Sequence, residues 1–404
     1  MRRTTALRAI VGVAAAVVLA TSGCTADGPN NSDTITIGAS LPLTGEFSQG
    51  GLDTHRGYET WVEMTNEAGG LLGKPVKILV KDDATTQDTA VSNYNNLISK
   101  DKVDLLLGSQ SSLLNIPASA VAEKNKMLFV CPSCASPDMF SRGFNYIFFS
   151  QQAVASDQAK MFATWIANLP IDQRPKTAAY PALDDPFAGP AVEGAEKILS
   201  AAGIRTVYKD QYPSTTKNFD SVVNAMKDAG AEMVVQGAQF EDGVNMIRSM
   251  NRAGYKPSIV YQSSSPTYGQ QYLDGVGEHN AEGVFSSASY SPIAQTTDNA
   301  EFVKRYAQKF GGTPPEDAAD GFAAAQVVAA AVTAVGSYDD QAKLADWLRA
   351  NTVETVLGPL SWNTDGSPKG EFLVGQWQGG VSQVVLPTEV ATSDKVLHWQ
   401  GGVI

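Results

Sequence analysis

The chain has 404 residues, enough for two or three compact units, and its 43% hydrophobic and 18% charged residues exclude wholesale disorder, collagen-like structure and coiled coil. Its 30 Lys and Arg stand against 42 Asp and Glu, a formal charge of -12, and Arg2, Arg3 and Arg8 all lie at the very start. The remainder is therefore more acidic still, a surface that repels phosphate backbones and excludes nucleic acid as a partner.

The basic start is followed by an apolar run, Ala9 to Ala20, too short to span a hydrocarbon core of ~30 Å. Thr21, Ser22 and Gly23 then precede Cys24, and small residues directly before a cysteine resemble the bacterial lipobox, whose thiol is diacylated. Residues 1–23 are accordingly expected to be a lipoprotein signal peptide, with Cys24 as the lipidation site and residues 24–33 as a polar tether. The alternative is an ordinary secretory signal cut nearby.

From Thr34 short apolar runs alternate with amphipathic stretches. Thr34 to Ser40 alternates at period two and predicts a strand. Tyr58, Trp61, Val62 and Thr65 predict a helix from Leu52 to Ala68 that stops at Gly69 and Gly70. Pro75 to Lys81 reads as a strand, Ala90 to Ile98 as a helix face, and Val103 to Gly108 as a strand buried on both sides. A helix from about Asn115 to Lys126 leads into the strand Met127 to Cys131. Such alternation predicts a parallel sheet with helices on both faces.

Tyr146 to Ser150 breaks the rhythm, and a second series begins. Its predicted strands are Thr177 to Tyr180, Thr206 to Lys209, Met233 to Gln236 and Ser258 to Tyr261, separated by helices from Asp157 through Ala253. A strand around Gly283 to Ser289 precedes further helices, including the Ala-rich stretch Phe322 to Val335. The tail turns to strands at Pro359 to Trp362, Phe372 to Trp377 and Val381 to Leu386. Helices arriving after the second series imply that the chain returns to the first. The expected fold is α/β, two doubly wound Rossmann-like lobes joined by three crossings. The boundaries are 34–150 with 283–357 for the first lobe, and 151–282 with 358–404 for the second.

The motifs of common enzymes are missing: no GxSxG, HExxH, GxxxxGK or GxGxxG follows a predicted strand. Asp82-Asp83 and Asp184-Asp185 follow strands, where acidic residues cap the next helix. Cys131 and Cys134 form a C-x-x-C, but Pro137 follows and the motif comes after a fourth strand, so it reads as a structural pair or two free thiols and not as a redox site. His55, His279 and His398 are scattered, and no metal site and no cofactor are expected. What remains is a set of polar or glycine-rich loops at the carboxyl ends of the strands: LPLTGEFSQGG, GSQSSLLN, PSCASPD and ALDDPFAG. Doubly wound sheets bind ligands there, and Ser109, Ser111 and Ser112 precede a helix whose first-turn N–H groups suit an anionic or carbonyl oxygen.

These loops, together with NEAGGLLGKPVKILVKDDATTQDTA, PSCASPDMFSRGFNYIFF and GPLSWNTDG, resemble the solute-binding proteins of branched-chain amino-acid-type ABC transporters, with the type I periplasmic binding fold. The resemblance spans nearly the whole chain after the signal. It implies a monomer that traps a small polar ligand, amino-acid-like, amide or carboxylate, by hinge closure. It further implies delivery to the permease subunits of an ABC transporter at the extracytoplasmic face of the cell membrane, with no chemistry of its own; the alternative is a module presenting the solute to a membrane receptor. By the same resemblance the binding serine is Ser112, beside Ser109, and the head-group loop is Ser133, Cys134 and Ala135. The second-lobe tyrosines fall on Phe187 and Gln239, and the carboxylate that neutralises a ligand ammonium falls on Ser263. A plain α-amino acid therefore needs Asp317, Asp320 or Glu241 as a replacement counter-charge.

Overall fold

The computed structural model describes residues 34–404. The expected signal segment, Cys24 and the tether lie outside the described residues. In the first lobe β1 (Ile35–Leu41), α1 (Ser48–Glu67), β2 (Val76–Asp82), α2 (Gln87–Ser99), β3 (Leu105–Leu107), α3 (Ser112–Lys124), β4 (Phe129–Cys131) and β5 (Ile147–Phe149) follow one another. The strands form a sheet in the order β2-β1-β3-β4-β5, with every pairing parallel.

The second lobe begins with α4 (Ala155–Gln158) and α5 (Lys160–Asn168). It continues through β6 (Thr177–Leu183), α6 (Ala188–Ala201), β7 (Arg205–Tyr212), α7 (Asp220–Asp228), β8 (Met233–Gln236), α8 (Phe240–Arg252) and β9 (Ile259–Gln262). After α9 (Gln270–Val276) and α10 (Glu278–Ala281) comes β10 (Phe285–Ala288). The chain then returns to the first lobe as α11 (Asn299–Phe310), α12 (Glu316–Val335), α13 (Gln341–Ala350) and a hairpin of β11 (Val353–Thr355) and β12 (Gly358–Leu360). It ends as β13 (Leu373–Gln378) and β14 (Val381–Leu386), which extend the second sheet antiparallel in the order β14-β13-β10-β9-β8-β6-β7. All seven residues of β6 are buried, as a strand covered on both faces requires.

The two-lobe expectation holds, but two crossings move. The strand expected to open the return at Gly283 belongs to the second sheet, where Phe285 pairs with Tyr261 and Gln376, so the chain leaves after Ala288. The third crossing, expected at Gly358, lies between Trp362 and Leu373, because Leu360 and Trp362 are buried in the first lobe's core. The glycine at 358 marked a pattern break for a local reason: it turns the hairpin with φ +92°, a conformation that favours glycine.

Helix α12 is long and apolar enough to cross a membrane by length and composition, yet it is the central core helix of the first lobe, with most residues from Ala318 to Val332 buried. It packs against α1 at two glycines. A Cβ at Gly57 would collide with the Ala318 carbonyl, and one at Gly321 would press on the Thr54 carbonyl. This close approach aims the first turn of α12 at the space between the lobes.

Candidate ligand cleft between the lobes

The carboxyl ends of the strands of both lobes meet around a cavity of about 30 Å3. The first lobe lines it with Ser111 and Ser112 at the start of α3, Ser133 and Ala135 after β4, and Phe149 at the end of β5. From the second come Gln158 of α4, Phe187 before α6, Gln239 before α8, and Ser263, Ser264 and Thr267 after β9. The returning chain adds Glu316, Asp317 and Asp320 of α12, and the first crossing adds Gln151.

Of the residues expected from sequence, Ser112, Ser133, Ala135, Phe187, Gln239, Ser263 and Asp317 are thus gathered in one place. Two are not. Ser109 is turned away from the cavity, donating to Asp83 Oδ2 at 3.2 Å, and Cys134 is fully buried in a disulfide with Cys131. That bond settles the choice between paired and free thiols. Glu241, weighed as a counter-charge, is an exposed partner of Lys217 at 2.7 Å and does not line the cavity.

The loops are held by a residue that sequence reasoning passed over. Asn115, fully buried, donates from Nδ2 to the carbonyls of Ser109, Ser111 and Ser133 at 2.6, 2.9 and 3.0 Å, and its Oδ1 accepts from Ser109 N at 2.8 Å. It ties the loop after β3 to the loop after β4. Ser112 Oγ makes a second tie by accepting from Ser136 N at 3.0 Å. Between them Ser111 is forced to φ +77°, ψ +145°, a region that costs a non-glycine residue about 1–3 kcal/mol. Its hydroxyl is buried and without a hydrogen-bond partner. The strained, unpartnered serine in the cavity is therefore Ser111, one position before the expected Ser112.

Across the cleft the polar groups are oriented by caps. Asp185 Oδ1 accepts from the backbone N–H groups of Phe187 and Ala188 at 2.9 and 2.6 Å, the capping role read from sequence, and Oδ2 accepts from Gln239 Nε2 at 3.2 Å. Ser263 is spent on its own loop: Oγ accepts from Ala238 N at 2.9 Å and donates to Ala238 O at 3.0 Å. It supplies shape to the cavity and no free hydroxyl. Gln158 Nε2 donates to Ser263 O at 3.1 Å, while its Oε1 is buried without a partner.

The acids of α12 dominate the electrostatics. Asp320, 2% exposed, accepts from Gln151 Nε2 at 2.5 Å and from Ser289 Oγ at 2.9 Å, and Glu316 Oε2 accepts from Ser289 N at 2.9 Å. Burial pushes the Glu316 carboxyl up to about 8, with Asp317 adding repulsion against the relief given by Ser289. It pushes Asp317 up to about 7, with Asp53 adding repulsion and the Tyr268 hydroxyl easing it. Asp320 is raised well above the carboxylate range by burial and then by its two acidic neighbours. Such a cluster can share protons or take up a positive charge.

This architecture has close relatives. Residues 34–381 match the family described as periplasmic binding protein. The chain is 27% identical over 361 residues to the Leu/Ile/Val-binding protein homolog 3 of Brucella melitensis, covering 86% of this chain and 92% of that one. Its fold matches the leucine-binding protein LivK of Thermotoga maritima with a TM-score of 0.76 at 18% identity, over 88% of this chain and 100% of that one. A solute-binding protein from R. palustris in complex with benzoate also matches, with a TM-score of 0.76 at 16% identity, over 92% of this chain and 97% of that one. A match running from the first described strand into β14, joined to two lobes that line one cavity, places the chain in the periplasmic binding protein family.

Proposed function

We propose that the protein is an extracytoplasmic solute-binding lipoprotein, anchored through lipid on Cys24, that captures a small polar organic ligand and delivers it to the permease of an ABC transporter. It carries out no chemistry on that ligand. The observation that carries this reading is the cavity itself: both lobes line it, and two of its lining residues, Ser111 and Gln158, each hold a buried polar atom without a hydrogen-bond partner. At about 30 Å3 the cavity has room for roughly one or two water molecules, so a solute enters only when the lobes part. The three crossings, after β5, β10 and β12, supply the hinge. Relatives named for leucine, isoleucine and valine, and a structural neighbour holding benzoate, bracket the size of the ligand.

A thermal-shift screen of a metabolite panel tests the reading. A ligand at ~100 times its dissociation constant adds ~2.7 kcal/mol to the stability of the state that binds it. Failure of every small metabolite to raise the melting temperature would remove solute capture as the function.

A further inference from the structure

We infer that the ligand carries a positively charged organic group, an ammonium or guanidinium, seated against Asp317 and Glu316 at the start of α12. The inference rests on the solute-binding reading and names the charge class of the solute. Three carboxylates line the cavity, and no Lys, Arg or His does. Asp320 is occupied by two neutral donors, Gln151 and Ser289. The first turn of a helix favours acids, which alone would account for Glu316 and Asp317.

It does not account for the opposite wall. There Gln158, 8% exposed, has its amide nitrogen engaged by Ser263 O, leaving Oε1 as an unpartnered acceptor of the same cavity. An unpartnered acceptor on a second-lobe residue that lines the same cavity as the acids of the first lobe calls for a multivalent N–H donor there. Phe149 and Phe187 also line the cavity, and aromatic side chains attract organic cations. Among the described residues no group of His, Cys, Asp and Glu is arranged to hold a metal ion. A cation placed here would favour the ionised forms of these acids, whereas an anion could bind only while they stay protonated, and a zwitterion needs only one of them.

Two probe pairs matched in shape and different in charge test this by calorimetry on the intact protein: benzylamine against benzoate, and leucinamide against leucine. The cation of at least one pair is expected to bind, and to bind more tightly than its counterpart. Asp317→Asn and Glu316→Gln, each confirmed as folded by circular dichroism, should each weaken the cation by roughly 30-fold or more, the usual loss when one partner of a buried charge pair is removed. Tighter binding of benzoate or leucine than of its cation overturns the inference and leaves solute binding intact. So does a cation whose affinity neither substitution changes. If neither cation binds and the metabolite screen finds only anionic or zwitterionic ligands, the inference also fails. If that screen finds no ligand at all, the solute-binding reading fails with it.

Discussion

Asp242 offers a sharp check on the claim that this fold buries protonated acids. It is 7% exposed, and burial pushes its carboxyl up to about 7, against the relief of the Tyr212 hydroxyl 2.6 Å from Oδ2. Tyr212 Oη also accepts from Gln236 Nε2 at 2.8 Å and lies 3.2 Å from the Gly237 carbonyl. A neutral acid completes this network: its O–H donates to Tyr212 Oη, whose own proton goes to Gly237 O, while Oδ1 accepts from Gln239 N at 2.9 Å. Asp242→Asn places an N–H where that O–H would be, so the variant should fold with every bond kept. Below pH about 4 the folded and unfolded wild-type chains both hold the proton, and stability is independent of it. Between about 4 and about 7 only the folded chain keeps it, so wild-type stability falls as pH rises, by about 1.4 kcal/mol per unit, and the loss is complete above about 7. The amide cannot ionise. The stability of Asp242→Asn relative to wild type should therefore grow by roughly 2–3 kcal/mol between pH 5 and pH 8, in favour of the variant. Urea unfolding followed by circular dichroism at several pH values measures it. A difference that stays constant over this range would refute a protonated Asp242.

Three further outcomes are expected. Cys24→Ser should abolish incorporation of labelled fatty acid, and continued labelling would move the anchor elsewhere. Small-angle scattering should show a smaller radius of gyration when the protein is saturated with a ligand from the screen, as hinge closure requires. Ser112→Ala removes the acceptor of the Ser136 N–H, 2% exposed at the cavity wall, and should weaken ligand binding by ~1–2 kcal/mol in calorimetry.

Hydrophobic periodicity made both lobes readable, because every strand of a doubly wound sheet is a short apolar run bounded by an amphipathic helix. It failed where a residue's partner is remote in sequence. The stretch before Leu52 reads as loop because of Gly50 and Gly51, yet α1 begins at Ser48. These glycines are small for the sake of neighbours: a Cβ at Gly50 would crowd the Gln110 amide and the Asp317 carboxylate. No local pattern contains a contact between residues 50 and 317. In the cleft, a resemblance at the level of loops found Ser112 but could not separate Ser109 from Ser111, since the hydrogen bond of Ser109 to the remote Asp83 and the Asn115 ties to the loop backbone decide which serine lines the cavity. Asn115 itself stands three residues after Ser112 in an ordinary helical stretch. A buried asparagine in the first turn of a helix that follows a ligand loop is the one signal that could have found it.

The acids of α12 were readable one at a time but not as a unit, and their joint position explains how charge in the cleft can reach the hinge. Asp320 accepts from Gln151, whose amide also donates to Pro132 O at 2.9 Å, so it grips the first crossing. Through Ser289 it grips the second crossing, and Glu316 takes the backbone N–H of the same serine. Asp317, one residue along, sits beside Tyr268 of the opposite lobe. One helical turn thus touches two hinge segments, the cavity and the facing lobe. A cation arriving at Asp317 and Glu316 would favour their ionised forms. The anionic Glu316 would then hold Ser289 more strongly, because hydrogen bonds to a charged acceptor exceed those to a neutral one. Ligand charge would then be coupled to hinge geometry through Ser289, with no need for a longer path.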